Sequence, residues 1–241
     1  MATFVQTNVG LYLNGYSLAS TFNAVSINLS NSPQDATVYG DTTVSNKAGL
    51  SSTSLEGEGY WDSTTDGVLQ ERLSLGSGAT TISVSPVDQA VGSPILFNEY
   101  TNATYNPFAT GTVGSMLGFS VSAESRGEKN VSGQILISPS SAITTSGNSL
   151  VNSALGAVSA TQSVYGVMHV LAASGSLVAQ IRSSPTSGFG SSTQRILFTT
   201  STAIGAEMKS LAGAVTDAHW RVDYTVSGGG SFTFIVGVGI I

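Results

Sequence analysis

The 241-residue chain contains no cysteine, so it offers neither a disulfide framework nor thiolate chemistry, and its redox compartment stays open. Charge is scarce as well. Asp, Glu, Lys and Arg make up 9% of the residues, against about 25% in an ordinary soluble domain. With eight basic residues and a net charge of −6, the chain lacks the basic face that replaces counterions along a nucleic acid, which argues against nucleic-acid binding. No apolar run approaches the ~20 residues of a membrane span, and the opening MATFVQTNVG has no basic region followed by an apolar stretch. A soluble protein that is not itself exported is therefore expected, with no membrane partner. Two histidines, His169 and His219, leave little material for metal or acid–base sites.

What the chain has instead is Gly, Ser and Thr. Polar uncharged surface costs little to desolvate, and weak mutual repulsion lets copies stack, which suits a protein that lives against copies of itself. Composition by itself slightly favours a lone, lightly charged extracellular β-sandwich. Asn28, Asn102 and Asn130 each head an Asn-x-Ser/Thr triplet, read here as chance matches in a chain rich in Ser and Thr.

The periodicity is that of strands. Val5, Val9, Leu11 and Leu13 share one parity before Asn14-Gly15, a strong hairpin signal, and Tyr16, Leu18, Phe22, Val25, Ile27 and Leu29 continue beyond it. Residues 30–35, with Pro33, read as a turn. Leu55, Gly57, Gly59 and Trp61 alternate with Glu56, Glu58 and Tyr60, and a capped amphipathic helix is expected near 65–75, ended by Gly76 and Gly78. Residues 93–107 read as an aromatic-rich loop or irregular edge strand. Residues 115–125 and 131–137 read as a hairpin. The small polar run at 138–149 marks a domain boundary, giving domains 1–138 and 139–241. In the second, 164–172 is expected to pair with 177–181, 196–200 adds a strand, 205–211 is a weak helical candidate, and Gly228 to Gly230 turn a hairpin between Trp220–Val226 and Phe232–Val238.

Chemistry is thinly represented. His219, Arg221 and Asp223 share a strand face, where a salt-linked surface is favoured over a metal or catalytic site, since one strand supplies at best two ligands. Glu56 and Glu58 also share a face, but a glycosidase sets its carboxyl pair across a cleft, and neighbours at this spacing are more often the wet side of a strand. Gly188-Phe-Gly190 and Gly228 to Gly230 lack the following Lys-Ser/Thr of a phosphate cradle, and no G-x-S-x-G elbow occurs. No enzyme, metal or cofactor is expected.

One stretch organises these signals. Residues 38–62 read VYGDTTVSNKAGLSSTSLEGEGYWD: a Gly-Asp corner, a polar loop with Lys47, and a Ser-Leu-Glu-Gly strand ending in Trp-Asp before the helix. Together with the Asn-Gly hairpin upstream and GFSVSAESRGEKNVSGQILI downstream, this resembles the tail tube protein of long-tailed phages. The resemblance implies a mainly β fold, a tail-tube-type β-sandwich or barrel domain with one short helix, followed by an all-β sandwich domain. It implies a structural virion protein, made in the host cytoplasm, whose trimeric or hexameric rings stack into a hollow tube for DNA ejection. DNA would pass through the lumen without specific binding. The partners implied are other copies of itself, a tape-measure protein, and tail terminator and tip proteins. The loop carrying Asp41, Thr43, Asn46 and Lys47 would stack rings.

Residues 1–138 hold eleven acidic and four basic side chains, whereas 139–241 hold three and four. Acidic walls repel phosphate, so Asp35, Asp41, Glu56, Glu58, Glu124 and Glu128 are the expected channel-lining candidates. The alternatives are a capsid decoration protein and a glycan-binding tail adhesin presenting the aromatics of 93–107.

Overall fold

The computed structural model describes residues 9–40, 42–73, 79–110, 112, 114–127, 130–152 and 154–241. The strands are β1 (Gly10–Leu13), β2 (Tyr16–Ser17), β3 (Phe22–Asp35), β4 (Asn46–Tyr60), β5 (Thr80–Ser85), β6 (Pro94–Thr110), β7 (Gly118–Ser125) and β8 (Val131–Ile137). They continue with β9 (Gly147–Asn148), β10 (Ser163–Ser184), β11 (Thr193–Leu197), β12 (Gly205–Ala212) and β13 (His219–Ile240). One helix, α1 (Ser63–Leu73), follows β4 where the spacing predicts it. The described residues are thus nearly all β with antiparallel pairing and one short helix among them, in agreement with the expected fold class. Residues 1–8, Gly76, Gly78, Asp41 and Glu128 lie outside the described residues.

Two compact units form, and neither is continuous in sequence. One comprises 1–20, 81–98 and 131–241, the other 21–80 and 99–130, so the division differs from the boundary expected at 138. The reason lies in β8. Gln134 stands opposite Val238 and Gly133 opposite Gly239, so residues on both sides of that boundary share one ladder.

The larger unit is built on β10 and β13, each 22 residues long, paired from Val164 opposite Ile240 to Ser184 opposite His219. The two hairpins expected within these segments do not form. β10 pairs instead with β13 over its whole length, so each half of either segment finds its ladder partner in the other strand. Between Ser174–Ser231 and Ser176–Ser227 the register skips Gly175 on one strand and Gly228 to Gly230 on the other. There Gly175, Gly228 and Gly229 take positive φ, which glycine adopts without steric cost.

The two-stranded ribbon folds over at this point. Gly166 and Ile181 lie fifteen positions apart on one strand, a span of about 50 Å if straight, yet a Cβ added to Gly166 would stand 2.3 Å from Ile181 Cδ1. Tyr224 and Phe234, ten positions apart on β13, are likewise in edge-to-face contact at 5.6 Å. Each half then gains its own flanks: β12 and β8 on one, β11 and β9 on the other. Residues 205–211, read as a weak helix, are strand β12 because they complete the ladder beside Val164 to Val170. Between the layers lies a core of Val164, Met168, Val170, Leu177, Ile181, Trp220, Phe232 and Phe234, with Trp220 Nε1 donating to the Gly156 carbonyl at 2.7 Å.

In the smaller unit the order is β3-β4-β7-β6. β7 and β8 are not the expected hairpin, since β7 inserts between β4 and β6. On the inner face Leu55, Phe119, Val121 and Ala123 are buried. Gly57 and Gly59 sit there because a Cβ at either would strike the Phe22 or Phe119 ring, at 2.5 and 2.6 Å. Phe22 and Phe119 meet edge to face at 5.0 Å. Leu69 of α1 is fully buried, and Tyr105 of β6 donates its hydroxyl to Asp66 Oδ1 in the first helical turn at 2.5 Å. The turn expected at 30–35 is strand instead: β3 runs through it on the edge, with a register shift between Asn31 and Pro33 where the missing proline donor costs nothing.

Two stability outcomes follow from this packing. Gly175→Val forces a β-branched residue into positive φ and should lower unfolding free energy by about 2 kcal/mol or more in urea denaturation. Removing residues 238–241 deletes buried Val238, Ile240 opposite Val164 and the paired Ser163–Ile241 backbone bonds. That truncation should cost several kcal/mol, at roughly 1.5–3 kcal/mol per large buried side chain. An unchanged melting temperature in either variant would contradict the folded-ribbon packing.

Candidate functional site

The outward face of the four-stranded sheet is built by alternation. Because Leu55, Gly57 and Gly59 point inward, Glu56 and Glu58 point out, and the register carries the same parity across four strands. Ala24, Glu58, Ser120 and Asn106 form one row; Ser26, Glu56, Ser122 and Thr104 form the next; Asn28, Ser54, Glu124 and Thr101 form a third. The face thus carries three carboxylates, no cation and no side chain more apolar than alanine in those rows. It is shallowly concave, with an open depression of about 480 Å³ lined among others by Ser26, Glu56, Glu58, Asn106 and Ser122. Glu56 and Glu58 stand about 7 Å apart along one strand, on the same open polar wall and not across a cleft. Such a surface hydrates well and repels polyanions.

Of the acids singled out in the sequence, Glu56, Glu58 and Glu124 are brought together on this face. Asp35 is not among them. It ends β3 far along the hairpin, fully exposed, where the Thr37 hydroxyl and backbone N–H hold its carboxyl below the usual carboxylate range. The stacking-loop candidates also divide. Thr43 is in the connecting loop, whereas Asn46 and Lys47 belong to β4, opposite Asp35 and Gln34.

β4 pairs with β7 only from Ser54 onward, so 29–35 and 46–53 project past β7 as a two-stranded ribbon. Its loop is closed by Ala36 N donating to Ser45 O at 2.7 Å and Ser45 N to Thr37 Oγ1 at 3.0 Å. The ribbon exposes Leu29, Val38, Tyr39, Val44 and Leu50, each more than 60% accessible. β3 pairs only with β4 among the described strands, and from Phe22 to Gln34 it has no charged side chain.

The aromatics of 93–107 do not make a surface platform. Phe97 and Tyr100 are buried, and Tyr105 packs at 5.9 Å on Phe119. The segment is strand β6, its large rings turned to the core. His219, Arg221 and Asp223 do share a face, and there Arg221 holds Asp223 through Nε at 2.6 Å and Nη2 at 3.2 Å while its guanidinium lies 4.3 Å from the Phe189 ring.

Two polar clusters escaped sequence reasoning. Arg195 Nε donates to Ser183 Oγ at 2.7 Å, Ser183 Oγ donates to Asp217 Oδ2 at 2.7 Å, and Arg195 Nη2 reaches the same carboxylate at 3.0 Å. The Ser183 hydroxyl and the Arg195 guanidinium hold Asp217 below the usual carboxylate range. His169, fully buried, accepts from Gly15 N–H at Nδ1 (3.2 Å) and meets Ser83 Oγ at Nε2 (2.8 Å). A lone histidine in the inward run Val167, Met168, His169, Val170 was the available signal.

Burial pushes the His169 imidazole down to about 3. The unfolded chain takes up this proton near pH 6.5 and the native state does not, so stability is full above that pH and falls as the pH drops toward 3. Between pH 6.5 and 4.5 the loss should be about 2–3 kcal/mol. Chemical denaturation across this window should show a slope that His169→Gln lacks; identical slopes would refute the assignment.

No family model matches this sequence, and no curated protein matches it. Among solved structures, the chain is similar to one in the virion of a native gene transfer agent particle, at 17% identity and TM-score 0.37, covering 49% of this chain and 92% of that one. It is similar to a chain in the tail of an empty gene transfer agent particle with C6 symmetry, at 16% identity and TM-score 0.33, over 45% of this chain and 79% of that one. It is also similar to the Dit protein of phage SPP1, a hub of the adsorption apparatus, at 10% identity and TM-score 0.36, over 98% and 100%.

Proposed function

We propose that this chain is a structural virion protein, a tail tube subunit of a long-tailed phage whose copies close into rings and stack into a conduit for DNA. The observation that carries this reading is the smaller unit's sheet: a polar face whose three central rows bear acids and no cation, bounded by β3, whose outer edge has no charged side chain from Phe22 to Gln34. Open edges of that kind pair with another chain, and monomeric proteins normally blunt them with charge. Pairing β3 with a strand of the next copy closes a ring heterologously and places Glu56, Glu58 and Glu124 on a common wall, where they repel phosphate without obstructing it. The projecting ribbon, with its exposed Tyr39, Val44 and Leu50, stacks one ring on the next. The tape-measure, terminator and tip proteins of such a tail are the further partners of this reading, and no bond chemistry is required of the subunit.

Negative-stain microscopy of the purified protein tests it. Stacked tubes are expected, and replacement of Tyr39, Val44 and Leu50 by serine should leave a folded protein that cannot elongate. Rings that never stack would favour a hub role at the tail end, and a monomer at every concentration would overturn the assembly reading. For the wall, phage carrying Glu56, Glu58 and Glu124 all changed to lysine should assemble tails yet deliver DNA at least about tenfold less well. Undiminished delivery would remove the acidic face from the mechanism.

A further inference from the structure

Asn14-Gly15 is the pairing of residues most prone to lose ammonia in a polypeptide, since the small glycine leaves its backbone nitrogen open to attack on the neighbouring side-chain amide. The Gly15 nitrogen bonds to Asn14 Cγ, its proton passes to solvent base, ammonia leaves, and a cyclic imide joins the two residues. Water then opens the imide to an ordinary aspartate or to its isomer linked through the side chain. Within this fold the attacking nitrogen and the side-chain carbonyl oxygen are both already engaged. Gly15 N–H donates to His169 Nδ1 at 3.2 Å, a buried contact. Asn14 Oδ1 accepts from Thr81 N–H at 3.0 Å, and Asn14 N–H donates to Thr81 O at 3.0 Å.

The backbone opposes closure as well. The φ values of 45° at Asn14 and 89° at Gly15 are those of a type I′ turn. Such a turn has ψ of roughly 30° at its first central residue, whereas the five-membered ring needs the Gly15 nitrogen eclipsed with Asn14 Cβ, far from that rotation. Opening the turn is blocked from behind, because Gly15 is packed so closely that an added Cβ would lie 2.6 Å from the Gly205 backbone and the Val170 carbonyl. Ser83 Oγ at 2.8 Å from Nε2 fixes the imidazole with Nδ1 toward the glycine.

We infer that His169 and Thr81 form a lock that keeps Asn14-Gly15 from deamidating, so that Asn14 is a latent modification site released only when this hairpin opens. The chemistry becomes a record of local opening: aspartate or isoaspartate in place of Asn14 accumulates in molecules whose hairpin has left His169. An aspartate there could keep the bond from Thr81 N–H at one carboxylate oxygen, whereas the linkage isomer would lengthen the turn by one atom; in both, the lost ammonia makes the change permanent.

The test follows Asn14 by peptide mapping in the full chain at neutral pH, beside a synthetic peptide GLYLNGYSLAS. Deamidation in the native protein should be slower than in the peptide by about tenfold or more, and in urea-unfolded protein the two rates should converge. His169→Ala should accelerate it severalfold while unfolding remains cooperative, and His169→Gln, whose amide oxygen can accept from Gly15 N–H, should restore most of the protection. Native deamidation at the peptide rate would overturn the lock, as would a folded His169→Ala protein with an unchanged rate. Where His169→Ala fails to fold, hydrogen exchange of the Gly15 amide in the unsubstituted protein decides: slow exchange is expected, and exchange at the free-peptide rate refutes the inference.

Discussion

The larger unit depends on one ladder, that between β10 and β13. A straight two-stranded ribbon of this length has two faces and no core, and a lone ribbon is marginal in water. Folding it at Gly175 and Gly228 to Gly230 turns its inner faces upon each other, so Gly166 meets Ile181 and Tyr224 meets Phe234 within single strands. Every other strand of that unit is then an addition to an existing edge. Glycine is needed twice over: at the bend for positive φ, and on β8 and β13, where Gly133 lies so near the Val238 carbonyl that a Cβ there would stand 2.2 Å away.

The smaller unit solves a different problem with the same residue. Its sheet must present a polar surface outward, so the inner face must gather all the apolar material. Gly57 and Gly59 make room for the Phe22 and Phe119 rings to reach β4, and the side chains between them, Glu56 and Glu58, are thereby fixed outward. The acids are consequently not a loose solubility feature of a mobile loop; strand parity holds them, and a one-residue register slip would bury them.

Much of this was legible in the sequence. Alternation placed Glu56 and Glu58 on the wet side of a strand, the helical spacing near 65–75 located α1, and Asn14-Gly15 announced a hairpin that exists. What failed was pairing. Gly228 to Gly230 do bend the chain, but a glycine run signals a change of direction and not which strand lies alongside; the partner of each half of β13 is a segment distant in the sequence. The boundary at 138–149 failed for a related reason, since a small polar run looks like a linker even where Ile143 bridges Phe232 and Gly147 faces Tyr224. Pro33 misled because a proline disrupts a central strand but is harmless on an edge. His169 and the Arg195–Ser183–Asp217 cluster depend on residues far apart in sequence, and no local pattern reports such contacts.

Surface and fold also bear on each other through what is left unprotected. Soluble monomers defend an open edge with lysine, a short strand or a cover, and they keep large apolar side chains off projecting ribbons. β3 has fourteen residues with one charge, at its far end, and the ribbon beyond β7 exposes five large apolar side chains. Its only edge defence is Pro33, which removes a single donor. A chain this sparing of charge could have placed its few ionic residues on that edge at little cost. It places several of them instead on the outward face of β4 and β7 and in the Arg195 and Arg221 clusters. Among the described residues no strand covers that edge, and the proposed ring is where one would.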